Sequence, residues 1–201
     1  MTADEKQKML AWLEQGRDAL KAAVDGVSEE EAARVPAPGR WSVLECVEHI
    51  AIVEDYLYGQ IVVSTAVAEP VINALRESLI PVRGLDRTRR IECPAEGLPA
   101  GRFKTLAAAI AHFLESRERT IALVAANRED LRARITTHPL LGTVNCYETL
   151  MMIAVHPLRH VGQIEEIEAA HSPGAEARTL RSEPSGLPLT DVDLVRQTRY
   201  T

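Results

Sequence analysis

The stretch CYETLMMIAVHPLRHVGQIEEIEAA, residues 146–170, decides the fold class. At 100° per residue Thr149, Met152, Ile153, His156, His160, Gln163, Ile164 and Ile167 share one arc without a formal charge, as a long amphipathic helix requires. Both histidines are therefore expected to face inward. They are four apart, one turn and about 6 Å of rise, so their imidazoles reach one point from the same face. Pro157 stands between them. It cannot donate to the Ile153 carbonyl and its ring crowds that turn, which predicts a kink or bulge. A helix that restarted there would spoil the spacing of the pair.

Upstream, Ser42-Val43-Leu44-Glu45 reads as a capping box that opens a second long helix, free of Gly and Pro until Gly59 and running on to Ala66. Its charge-free arc holds Val43, Cys46, Ile50, Val53, Tyr56, Leu57, Gln60 and Ile61, with His49 at the edge and Glu48 and Asp55 pointing elsewhere. A first helix is expected from Thr2 to about Gly26, followed by one short turn capped by Ser28 and Glu31. Another spans Phe103 to Ala126, with an apolar stripe through Leu106, Ile110, Phe113, Ile121 and Val124. Between the second and third helices, residues 68–102 are interrupted by repeated Pro and Gly, and only Val71 to Leu79 reads as a short helix. A loop through His138, Pro139 and Gly142 leads to Thr143 or Asn145 as the cap of the last helix. The expected fold is all-α, a four-helix bundle over residues 1–170 with a long crossover between helices two and three. Residues 171–201 lack a helical period and read as an extended C-terminal tail.

Composition narrows the functions. A chain of 201 residues, 46% hydrophobic and 26% charged, is long enough to bury a core without disulfides. A net charge of −6 without a basic stripe argues against nucleic acid and against an anionic membrane surface. Cys46, Cys93 and Cys146 are odd in number and form no CxxC pair, which fits a reducing cytoplasm. The polar start and the lack of a long apolar run predict neither signal peptide nor membrane span. A homodimer through helix faces is compatible with all of this. Six histidines stand among only eight aromatic residues, yet in a chain of this length one pair at separation four arises by chance in roughly 0.2 of sequences. The pair alone does not make a metal site.

Two segments carry more information. Trp41-Ser42-Val43-Leu44-Glu45-Cys46-Val47-Glu48-His49 and His156-Pro157-Leu158-Arg159-His160-Val161-Gly162-Gln163-Ile164 resemble the paired motifs of the DinB-like, YfiT-type family of four-helix bundles. His138-Pro139-Leu140-Leu141-Gly142 resembles the loop before that family's last helix. The resemblance implies a divalent metal, zinc or nickel, held by His49, His156 and His160. Three imidazoles leave a coordination position open, as catalytic sites do. It also implies a low-molecular-weight thiol such as bacillithiol, mycothiol or glutathione, so the expected activity is a metal-dependent transferase acting through an activated thiol, or through water. The small-molecule substrate is not specified. The alternatives are a non-catalytic bundle that binds a metal or small ligand in a stress response, and a structural bundle with core histidines.

By spacing, Glu45, Tyr56 and Gln163 are candidates to orient a ligand imidazole; the alternative for Glu45 is the capping box, and for Gln163 a helix-packing hydrogen bond. Arg159 lies about 100° from the histidine face and suits a salt bridge unless an anionic substrate recruits it. Cys46 is one turn before His49, where a small buried hydrophobe is the simpler reading, and Met151 and Met152 read as core. His112, His138 and His171 carry no role.

Overall fold

Capping boxes set where the first helices begin. Thr2, Ser28 and Ser42 each accept a hydrogen bond from the third helical amide, and Glu5, Glu31 and Glu45 reach back to the cap amides. They open α1 (Ala3–Val24), α2 (Glu29–Ala33) and α3 (Val43–Val62). The structure, a computed structural model, describes residues 1–88 and 91–171. The expected tail lies outside the described residues from 172 onward, whereas His171 is the last residue of the final helix rather than the first of a tail.

The remaining elements are β1 (Thr65–Ala66), α4 (Ala74–Leu85), α5 (Leu106–Ala126), β2 (Arg134–His138), β3 (Gly142–Asn145) and α6 (Cys146–His171). α1, α3, α5 and α6 form the bundle. α1 and α3 each pack on both α5 and α6, which fixes the order around the bundle as α1, α5, α3, α6, and α4 lies against α6. One part of the core gathers Met9, Leu13, Leu57, Leu150 and Ile153, and another Leu20, Val47, Ile50, Phe113 and Ile164. Burying each such side chain contributes roughly 1.5–3 kcal/mol. No helix among the described residues is long and apolar enough to cross a membrane.

The core also holds a charge pair. Arg117 is 0% exposed and Glu54 2%, and the guanidinium donates from Nε and Nη2 to the two carboxylate oxygens at 2.8 and 2.7 Å. Thr120 donates to the same carboxylate, and the Leu13 carbonyl accepts from Arg117 Nη1. This pairing joins α1, α3 and α5 at one point.

The structure departs from the sequence expectations at several places, and α3 ends at Val62 instead of running on to Ala66. A three-stranded antiparallel sheet, in the order β1-β2-β3, joins residues 65–66 to a hairpin over 134–145. The β-branched runs Ile135-Thr136-Thr137 and Thr143-Val144 pair across a turn in which Gly142 takes φ 68°. The helix expected over 71–79 begins at Ala74, because the Asn73 side chain accepts from the Arg76 amide, and it continues through Pro81 to Leu85. α5 starts at Leu106, three residues after the expected Phe103, because the Thr105 hydroxyl caps it by accepting from the Ala108 amide. α6 does not restart at Pro157 but is one helix across it, and of the two expected caps it is Asn145 that exchanges reciprocal bonds with Glu148.

Candidate metal centre

His49 projects from α3, and His156 and His160 from α6. Because α6 continues through Pro157, the last two stay one turn apart on one face. His156 Nε2 lies 3.0 Å from His49 Nε2 and 3.1 Å from His160 Nε2, and the three nitrogens fall within 4.8 Å of one another. His49 and His160 are buried and His156 is partly exposed. This is the one group of three or more potential ligand side chains close enough to hold a single ion among the described residues.

The outer ring nitrogens determine what the inner ones can offer. His49 Nδ1 donates to the Gly97 carbonyl at 2.7 Å, and His160 Nδ1 donates to Gln163 Oε1 at 3.0 Å. With the proton held at Nδ1, both rings present an Nε2 lone pair to the centre. His156 Nε2 faces both lone pairs and carries at most one proton, so the three nitrogens cannot satisfy each other by hydrogen bonding. A cation at their meeting point would satisfy all three. The donor set therefore fits a divalent metal ion that takes neutral imidazole nitrogen.

Burial acts in the same direction. Desolvation lowers the pKa of His49, partly offset by its bond to Gly97. Desolvation and the neighbouring imidazoles hold His156 well below the ordinary value. Desolvation, then His49, pushes His160 down to about 3. Each ring is thus neutral near pH 7, the form that binds metal.

Trp41, just before α3, covers the cluster, its ring centroid 4.8 Å from that of His49 and 6.2 Å from that of His160. The connection between α4 and α5 closes another side through the short helical turn Ala95–Gly97. A cleft of about 1420 Å³ opens onto all three histidines, and Tyr56 and Met152 line it. Its rim carries several exposed apolar side chains, among them Leu75, Ile91 and Leu140, together with Arg83.

The other candidates take definite places. Gln163 bonds His160. Glu45 serves as the capping residue of α3 and Tyr56 as a wall of the cleft. Arg159 donates to the carbonyls of Gly84 and Asp86 at the end of α4. Cys46 is buried in the core; the cysteine beside the cluster is Cys93, whose Sγ is 3.7 Å from His49 Nδ1. His112 lies away from the cluster with Asp55, 2.6 Å from its carboxylate. His138 ends β2, where its Nδ1 accepts from the Leu140 amide. Met151 is core, and Met152 reaches the cleft. Sequence reasoning missed Trp41 as a cover and Gly97 as the acceptor for His49. The Trp of the first motif signalled the former, but nothing local to residue 97 signals the latter.

Comparison with known proteins agrees with this architecture. The chain is 24% identical over 143 residues to the uncharacterized protein YuaE of Bacillus subtilis, covering 71% of this chain and 86% of YuaE. The fold is similar to YfiT from Bacillus subtilis, described as "a probable metal-dependent hydrolase with an unusual four-helix bundle topology". That match has a TM-score of 0.55 and 21% identity, and covers 84% of this chain and 88% of YfiT. The four-helix bundle protein TT2238 matches with a TM-score of 0.52 and 19% identity, over 80% of this chain and 98% of its own. The model of the DinB superfamily matches residues 13–164, well over half of the sequence, and the chain belongs to that superfamily.

Proposed function

We propose that this member of the DinB superfamily holds a divalent ion, zinc or nickel, on His49, His156 and His160, and is a metal-dependent enzyme acting on a small organic molecule in the cleft above them. The observation that carries this reading is the convergence of three Nε2 atoms, two of them with the proton tied off at Nδ1. Three protein ligands leave room for a further one, as in catalytic rather than closed structural sites. A divalent ion held there supplies Lewis acidity and lowers the pKa of a coordinated water or thiol toward neutrality.

The chain's own residues supply orientation and access. Gly97 and Gln163 fix two of the rings. Trp41 shields the cluster on one side, and the cleft leaves it reachable on another. A reachable centre favours an enzyme over a storage or sensing module, which would be served by a sealed site. A cleft of about 1420 Å³ has room for a small thiol and an electrophile together. Transfer of a low-molecular-weight thiol is the reading we adopt, with hydrolysis by activated water as the variant in the same class.

Two measurements test it. Metal analysis and competitive titration on protein purified without a polyhistidine tag are expected to give one zinc or nickel per chain, lost in His156→Ala. Loaded and chelated protein are then assayed with glutathione, bacillithiol or mycothiol against chlorodinitrobenzene, and with p-nitrophenyl acetate alone. Metal-dependent thiol consumption supports the transferase, and ester cleavage without thiol supports the hydrolase. Metal binding without turnover in any arm would leave a binding module, and absence of metal binding would overturn the reading entirely.

A further inference from the structure

Glu48 immediately precedes His49 on α3, and it is 1% exposed. Its Oε1 accepts from the Ala100 amide at 2.7 Å and from the Arg102 amide at 3.0 Å. These partners are backbone N–H groups of the connection between α4 and α5, not a guanidinium or ammonium. A buried carboxylate is costly unless it is hydrogen bonded, and bonds from amides to a charged acceptor are strong. The segment over residues 97–102 therefore cannot drift without uncovering Glu48.

The same segment carries the Gly97 carbonyl, which accepts from His49 Nδ1 at 2.7 Å. Two consecutive residues of α3 thus grip one loop, Glu48 by accepting from its amides and His49 by donating to its carbonyl. The loop is also closely seated behind Gly97. A Cβ there would lie 3.0 Å from Cys93 Sγ and 3.1 Å from Val53 Cγ2.

We infer that Glu48 is a positioning residue for the three-histidine centre. By fixing residues 97–102 it holds the Gly97 carbonyl where it keeps the His49 proton on Nδ1 and leaves Nε2 turned to the metal. This rests on the reading of the histidines as a metal centre. It adds a linkage: metal affinity and order of the 97–102 loop rise and fall together, and the coupling is reciprocal.

The test combines zinc and nickel competition titrations with hydrogen exchange of the Ala100 and Arg102 amides, on the full chain, for the wild type, Glu48→Ala, Glu48→Gln and Gly97→Ala. Glu48→Ala is expected to lower metal affinity by about 10- to 100-fold, the range for orienting groups around a metal, and to lose protection at both amides. Glu48→Gln keeps an oxygen that accepts from both amides and is expected to lie nearer the wild type on both readouts. Gly97→Ala leaves Glu48 intact but crowds Cys93 and Val53, so it is expected to shift the carbonyl and lower affinity while the two amides stay protected. A Glu48→Ala protein with wild-type metal affinity overturns the inference, even if its loop is loosened. Should Glu48→Ala not fold, Gly97→Ala with unchanged affinity overturns it instead. If the wild type itself binds no metal, the metal reading fails first; lost amide protection in Glu48→Ala would then leave the clamp standing as a structural feature alone.

Discussion

Arg117 Nη2 donates to the Ile153 carbonyl at 3.1 Å, across the core from α5 to α6. That carbonyl is the one an amide at position 157 would have bonded, and residue 157 is proline. The guanidinium therefore serves two needs: it pairs with Glu54 and supplies a donor where α6 lacks one. α1 closes over the same spot, since a Cβ at Gly16 would lie 2.9 Å from the Ala154 carbonyl oxygen and 3.1 Å from Arg117 Nη1. The continuity of α6, on which the spacing of His156 and His160 depends, is supported at this buried junction.

Arg117→Met is accordingly expected to be strongly destabilising. It removes one partner of a buried pair and leaves the Glu54 carboxylate without its countercharge, a loss of about 3–5 kcal/mol. Urea denaturation of the metal-free protein measures it, and Glu54→Gln in the same background should recover part of the loss. Wild-type stability in Arg117→Met would show that the pair does not carry the junction.

Gln163→Leu tests the orientation of His160 separately from the fold. The side chain that accepts from Nδ1 is replaced by an apolar one of similar size, freeing the imidazole to change tautomer. Metal affinity is expected to fall by about tenfold or more with little change in the urea midpoint. Unchanged affinity in a competition titration would mean that Gln163 serves helix packing only.

Much of this arrangement was legible because it is local. The helical period placed His156 and His160 on one face, and the capping box at Ser42 fixed the start of the helix carrying His49. What was not legible depends on distant partners. Glu48 points away from the apolar arc of α3, and nothing local to it signals the amides 52 and 54 residues away that bond it in the buried interior. Arg117 likewise interrupts the apolar stripe of α5, and only the assembled bundle reveals its acceptors. Residues 134–145 were too short and too near a Pro and a Gly to read as strands, and their pairing includes residues 65–66 from far upstream. Pro81 reads locally as a breaker, but α4 runs through it against α6.

The packing of α4 on α6 leads to a further expectation. A Cβ at Gly84 would meet Val155 Cγ2 at 2.7 Å, closer than such atoms come, so Gly84→Ala must displace the helix or the valine. A cost of about 1–3 kcal/mol is expected, typical of overpacking. Val155→Ala in the same chain should recover much of it, although that change alone loses buried apolar surface. Thermal unfolding of the two single variants and the double variant gives the coupling, and additive effects would argue against a direct contact.

Trp41 offers an optical readout of the centre. It lies against His49 and His160, whereas Trp12 lies with Lys8 and the two are the only tryptophans in the chain. Nickel bound at the three histidines is expected to quench emission saturably at one equivalent. Trp41→Phe should abolish the change and Trp12→Phe should keep it. Quenching that survives in Trp41→Phe would place the metal elsewhere.

Acid stability of the chelated protein follows from the same three rings. All are held neutral in the fold, with His160 pushed down to about 3 against 6.5 in its unreacted, unfolded setting. The folded pKa is the lower one, so on acidification the unfolded chain takes up protons first. Stability is then fully present above pH 6.5 and declines as the pH falls below that value, continuing for His160 down to about 3. From pH 7 to pH 5 the loss attributable to His160 is about 2 kcal/mol, in a window where unperturbed carboxylates stay ionised. His160→Leu should therefore flatten the dependence of the urea midpoint on pH over that window, and bound zinc should offset it in the wild type. An equally steep dependence in His160→Leu would assign the acid sensitivity to other groups.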